Sequence, residues 1–167
     1  MRRPPLGYRR RMDTEALVRR AIVLADRARA GGNHPFGALL AAPDGTVVLE
    51  AGNTVGTTHD VTGHAETNLV SAATRRFSRD ELRTLTLVTS CEPCAMCSGA
   101  IYWSWIGAVV YGLSEEGLLA LTGDDPENPT LALPCRTVLG AGQRDIRVEG
   151  PLLEDEAAAS HRDFWRS

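Results

Sequence analysis

The sequence contains no lysine: all 18 of its basic residues are arginine. That absence excludes a lysine Schiff base, and with it pyridoxal-phosphate chemistry and lysine aldolases. It also excludes a Walker A phosphate loop, which needs Gly-Lys-Ser/Thr. Any contact with nucleic acid would fall to arginine. GC-rich coding is a sufficient origin for the bias. The chain also lacks an apolar run near the ~20 residues of a membrane span. The opening MRRPPLGYRRRMD lacks the apolar stretch of a secretory signal. Cysteines number only four, and Cys91, Cys94 and Cys97 are evenly spaced. Without a signal peptide, this spacing points to metal binding or reduced thiols in the cytoplasm rather than a disulfide framework.

The rest of the composition is that of a globular protein. The 167 residues are 43% hydrophobic and 23% charged, enough for one domain with a sizeable core. The net charge of −3 is unevenly placed. Five arginines (Arg2, Arg3, Arg9, Arg10, Arg11) precede residue 12, which leaves the remaining chain at −8. From Ser114 onward there are 11 acids and 5 arginines. A polyanion would meet a repulsive field over most of this surface. Residues 1–11 are expected to be a basic flexible tail, and residues 12–167 a single domain.

Along the chain, Asp13 to Ala30 has helical periodicity, with Asp13 or Thr14 as cap and Gly31-Gly32 as stop. Phe36–Ala42 and Thr46–Asn53 read as a hairpin around Pro43-Asp44-Gly45. Gly56–Gly63 reads as a polar loop and His64–Arg76 as a helix. Leu85–Thr89 reads as a strand. A further helix follows to about Ser104, with Pro93 in its first turn. Ile106–Tyr111 reads as a buried strand. Ser114 caps a helix to Leu121, and Glu127–Gly142 is irregular. Asp145–Glu149 reads as a last strand and Leu152–Trp165 as a terminal helix. Strands alternating with helices imply parallel pairs, and the hairpin makes the sheet mixed. The expected fold is a three-layer α/β/α sandwich.

Two short motifs carry chemistry. His64-Ala65-Glu66 opens one helix, and Pro93-Cys94-Ala95-Met96-Cys97 opens another. Cysteines at i and i+3 share a helix face, and a helix N-terminus lowers thiol pKa. One histidine and two thiolates leave a fourth tetrahedral position for water, the pattern of a catalytic zinc site. Glu66 follows the ligand by two residues, close enough to move protons at that water. A structural site would need a fourth ligand from Cys91, Cys135 or His59. Cys91 is the strongest of these, but it should lie at a strand end, off the helix face.

The paired pattern H-x-E…P-C-x-x-C is the signature of zinc nucleobase deaminases. With HPFGALL from His34, Asn53-Thr54-Val55, and TSCEPCAMCSGAIYWSWIGAVVYG from Thr89, the chain resembles the cytidine deaminase-like superfamily. Its nearest likeness there is to bacterial guanine deaminases, with tRNA adenosine deaminases as relatives. The resemblance implies a mixed five-stranded sheet, a Zn2+ ion on His64, Cys94 and Cys97, and Glu66 as catalytic proton shuttle. It implies that Asn53 hydrogen-bonds the base and that Phe36 packs on it, with Ala65 and Trp103 among the pocket residues. Asp124 or Asp125 falls where a second acid is placed to read a purine. Phe164 and Trp165 would cap the partner's site in a homodimer with exchanged C-terminal segments. The implied reaction is guanine to xanthine and ammonia. Cytosine, another purine, a triazine or the adenosine of a tRNA are the alternatives. Thr122-Gly123 departs from the Gly-Phe of the guanine pattern. A non-catalytic zinc module would have no need of Glu66.

Overall fold

Asp13 starts the first helix, its Oδ1 accepting the Ala16 N–H at 3.0 Å. This helix, α1 (Thr14–Ala30), buries Leu17, Val18, Ala21, Ile22, Leu24, Ala25 and Ala28 against the sheet. Each large apolar side chain among them contributes about 1.5–3 kcal/mol of burial. The alanines let the helix lie close. A Cβ on Gly37 would come within 2.5 Å of the Ala21 carbonyl oxygen and the Ala25 nitrogen. The computed structural model describes residues 12–165, so the basic tail expected over residues 1–11 lies outside the described residues.

The remaining elements run β1 (Gly37–Ala41), β2 (Val47–Gly52), α2 (Val55–Thr58), α3 (Ala65–Arg76), α4 (Arg79–Thr84), β3 (Thr86–Cys91), α5 (Ala95–Ser104), β4 (Ala108–Leu113), α6 (Glu115–Thr122), α7 (Cys135–Gly140), β5 (Arg147–Glu149) and α8 (Glu154–Ala159). The five strands lie in the order β2-β1-β3-β4-β5. β1 is antiparallel to β2 and β3, while β3–β4 and β4–β5 are parallel. The sheet is therefore mixed and five-stranded, as expected.

β1, β3 and β4 are buried at every position, because both faces of the sheet are covered. Leu40, Leu87 and Val109 meet Leu69 of α3 and Ile101 of α5 on one face. Leu39, Val88 and Val110 meet Val18 of α1 and Ala157 of α8 on the other. The result is the expected α/β/α sandwich.

Several expectations are corrected. The polar loop holds a one-turn helix, α2. α4 was not anticipated, although Ser78 and Glu81 form a reciprocal capping box at its start. The irregular stretch contains α7. Pro93 precedes the Cys94 cap instead of occupying the first turn. The terminal helix ends at Ala159, and the chain turns back through residue 165. Arg29 draws it back by donating to the carbonyls of Ser160 and Arg162, and Asp163 adopts a positive φ that no helix continues through.

Candidate active site

β3 ends at Cys91, and Glu92-Pro93 lead directly into Cys94, the N-cap of α5. His64 is the N-cap of α3. Both caps have extended backbone, and neither side chain caps its own helix, so the imidazole and thiol are free for other bonds. Cys97 lies one turn into α5. The sulfurs of Cys94 and Cys97 sit 3.7 and 3.5 Å from His64 Nδ1, and all three donor atoms lie within 4.8 Å of one another. Tetrahedral zinc, with Zn–S ~2.3 Å and Zn–N ~2.0–2.1 Å, requires sulfur–nitrogen separations of about 3.6 Å. The donor set fits the ion in chemistry and spacing.

Electrostatics agree. Hydrogen bonding from Cys97 and then from His64 lowers the Cys94 thiol to about 4. The Cys97 thiol is pushed up in return, so the pair shares a proton that a divalent cation would displace. His64 is raised, first by its bond to Cys94. Cys91 differs: it is buried beside Val88, Val110 and Leu118, and desolvation drives its thiol well above the usual range. Among the described residues, neither Cys91, Cys135 nor His59 joins the ligand cluster.

Glu66, only 4% exposed, stands next to the ligands. Thr89 Oγ1 donates to its Oε1 at 2.7 Å, and the Cys97 thiol lies 3.6 Å from Oε2. Burial raises its pKa. A cavity of about 450 Å3 opens over Glu66 and His64, the size of a small-molecule site.

Over residues 11–113 the chain matches the cytidine and deoxycytidylate deaminase zinc-binding region. The chain belongs to this deaminase family. A probable cytosine deaminase of Schizosaccharomyces pombe is 46% identical over 150 residues, covering 90% of this chain and 91% of its own. The guanine deaminase of Bacillus subtilis is 42% identical over 115 residues, covering 68% and 73%. A solved guanine deaminase from Nitrosomonas europaea superposes with a TM-score of 0.75 at 27% identity, covering 93% of this chain and 86% of that one. The protein is thus a zinc-type hydrolytic deaminase of nucleobases or nucleosides. No helix among the described residues is long and apolar enough to cross a membrane.

The deaminase cavity gathers some of the other expected residues and leaves others out. Phe36 lines it. Asn53 is buried just behind: its N–H donates to the Phe36 carbonyl, its Oδ1 accepts the Val55 N–H at 3.0 Å, and its Nδ2 is buried without a partner among the described residues. Ala65 is buried in the core at the start of α3. Asp124 and Asp125 do not line the cavity, and the Asp125 carboxylate accepts the Glu127 N–H within its own turn. Trp103 is 79% exposed, against Tyr102, and also does not line it.

Phe164 and Trp165 pack edge-on against His34 of their own chain, at 5.9 and 5.3 Å between centroids. His34 and Phe36 line the cavity, so the terminal aromatics back the site within one chain. Arg29 and the Ser160–Asp26 hydrogen bond fix the segment in place on α1.

Four titratable cavity residues were missed in the sequence: His34, Glu92, Glu115 and Glu127. His34 Nε2 lies 3.8 Å from Glu127 Oε2. An acid at the start of a helix, as in Ser114-Glu115-Glu116, reads first as a partner of the helix dipole. Only the cavity reveals the second role available to Glu115.

Proposed function

We propose that the protein removes the exocyclic amine of a free nucleobase by hydrolysis, with guanine, giving xanthine and ammonia, as the preferred substrate. One observation carries this choice: Glu115 and Glu127 join Glu66 on the cavity wall. Guanine has more N–H donors than cytosine or adenine, and carboxylates are acceptors.

Zinc on His64, Cys94 and Cys97 supplies activation of a water near neutral pH. Glu66 does the proton work. Thr89 fixes one carboxylate oxygen and burial raises the basicity of the group. Glu66 takes a proton from the attacking water and passes it to a ring nitrogen, then takes the remaining proton from the new hydroxyl and gives it to the amine, which leaves as ammonia as the C–N bond breaks and the carbonyl forms. The orphaned Asn53 Nδ2–H donates to a base oxygen or nitrogen, which offsets a desolvation cost of about 1–3 kcal/mol. Phe36 offers an apolar face to the ring.

A second reading, cytosine, is supported by the yeast relative, whose similarity extends over nine-tenths of this chain. The net −8 beyond residue 11 disfavours a tRNA substrate. We also place the reaction in the cytoplasm, where four free thiols stay reduced. The exposed Trp103 and Met96 on α5 support a homodimer.

The test is ammonia release by zinc-loaded protein from guanine, cytosine, adenine, their nucleosides, a triazine and a tRNA anticodon stem-loop. Guanine is expected to react fastest, with no change on removing residues 1–11. Turnover of the stem-loop without any free base would overturn the proposal.

A further inference from the structure

The amine-bearing carbon of guanine lies between two ring nitrogens, N1–H and N3. In cytosine and adenine it lies between one ring nitrogen and a ring carbon. A site with Glu66 as its only carboxylate can serve one flanking nitrogen. Three other carboxylates line this cavity: Glu92, whose two oxygens are taken by backbone N–H groups, the largely exposed Glu127, and Glu115.

Glu115 is placed by rigid structure. Its N–H donates to Glu92 Oε2 at 3.0 Å, and Glu92 Oε1 also accepts the Cys135 N–H at 2.9 Å. Ser114 Oγ accepts the Gly117 N–H at 3.1 Å. Glu92, two residues before Cys94, thereby ties the starts of α6 and α7 to the end of β3. The Glu115 carboxylate is half-buried and accepts no hydrogen bond among the described residues.

Its oxygens are not sealed in the core but open on the cavity, free to accept from whatever enters it. Burial first, then the charges of Cys94, Glu92 and Glu66, raise its pKa to about 7. Two thiolates neutralise a divalent cation, so the metal site brings no net positive charge to offset it. A substrate N–H does offset it.

We propose that Glu115 is a specificity-determining residue that accepts the ring N–H on the other side of the reacting carbon from the nitrogen that Glu66 protonates, so that the site selects cyclic guanidines. These are rings whose amine carbon sits between two nitrogens: guanine, isocytosine and 2-amino-4-oxopteridines. The inference rests on the free-base deaminase reading above and narrows it to a substrate class.

The experiment compares wild type, Glu115→Leu and Glu115→Gln on guanine, isocytosine and cytosine, with zinc content and thermal stability measured alongside. Leucine, which accepts nothing, should lower kcat/KM for guanine and isocytosine roughly 10- to 100-fold, and cytosine far less. Glutamine, a neutral acceptor, should fall between. Isocytosine binding, followed calorimetrically on a Glu66→Gln background, should weaken by a similar factor when Glu115→Leu is added. An unchanged ratio of isocytosine to cytosine turnover, with zinc retained, would overturn the role of Glu115. Wild type that deaminates cytosine but neither cyclic guanidine would overturn the substrate class and leave the deaminase reading standing. Wild type that deaminates no free base would remove that reading, and unaltered isocytosine binding in the calorimetric arm would then reject Glu115 separately.

Discussion

The two walls of the cavity are built from different material. One wall is the first turns of α3 and α5, resting on the buried strands β1, β3 and β4. His64 and Glu66 belong to it, with Cys94 and Cys97 clustered behind them, and Cys97 and Glu66 are buried. The other wall is irregular chain: Glu127 and its neighbours between α6 and α7, with His34 backed by the turn through residues 160–165. The comparison teaches where each function is placed. Groups that must hold a metal and move protons within tenths of an ångström sit on rigid elements. Glu127 and its neighbours sit on a loop, where exchange of an exposed side chain disturbs little else.

The comparison breaks most severely at the rigid wall. Cys94→Ala should lose zinc, measured by metal analysis, and turnover should drop to background. Cys91→Ser should keep the metal. Loss of zinc in both would mean that the ligand set extends beyond the helix face. Glu66→Gln should lower turnover roughly a thousandfold while zinc stays bound. Substantial remaining activity would remove Glu66 from the proton path.

Smaller effects belong to the irregular wall. Trp165 is 4% exposed, so Trp165→Ala should cost about 3–5 kcal/mol in denaturant unfolding and raise KM with zinc retained. An unchanged KM would detach the terminal turn from the site.

The same turn should respond to acid. His161 is buried, accepts the Trp165 Nε1–H at Nδ1, and has no partner at Nε2 among the described residues. Burial, followed by the charge of Arg29, lowers its pKa to about 4. Between pH 6.5 and 4 the unfolded chain binds a proton that the folded chain refuses. Stability is therefore full above 6.5 and falls as pH drops through that window, by on the order of 3 kcal/mol. His161→Gln should flatten this loss relative to wild type in unfolding curves at pH 7 and 4.5. Parallel losses would place the acid sensitivity elsewhere. The smallest effect is expected at Glu127, whose side chain is 75% exposed. Glu127→Gln should change KM by a few-fold and stability by less than about 0.5 kcal/mol. A large loss of kcat would move Glu127 into the proton path.

The rigid wall was the legible one. H-x-E and P-C-x-x-C are local patterns, and a helix N-terminus turns three-residue spacing into a shared face without help from the rest of the chain. The hairpin, the buried strands and the caps Asp13 and Ser114 were legible for the same reason: each rests on near neighbours. Asp124 and Asp125 fall outside the cavity lining, because an acid's place in sequence says nothing of its direction once a loop has turned. The loop instead closes Asp125 on its own backbone and brings Glu127 to His34, 93 positions earlier in the chain.

The sequence by itself therefore determined the fold class, the metal-binding cluster of one histidine and two cysteines, and the glutamate buried beside it. All of these follow from periodicity, capping and short-range spacing. Tertiary structure alone decided which acids line the cavity, and that the terminal aromatics back the site within one chain. Those facts depend on long-range closure: Arg29 gripping carbonyls more than 130 residues away, and Glu92 joining two helix starts to one strand end.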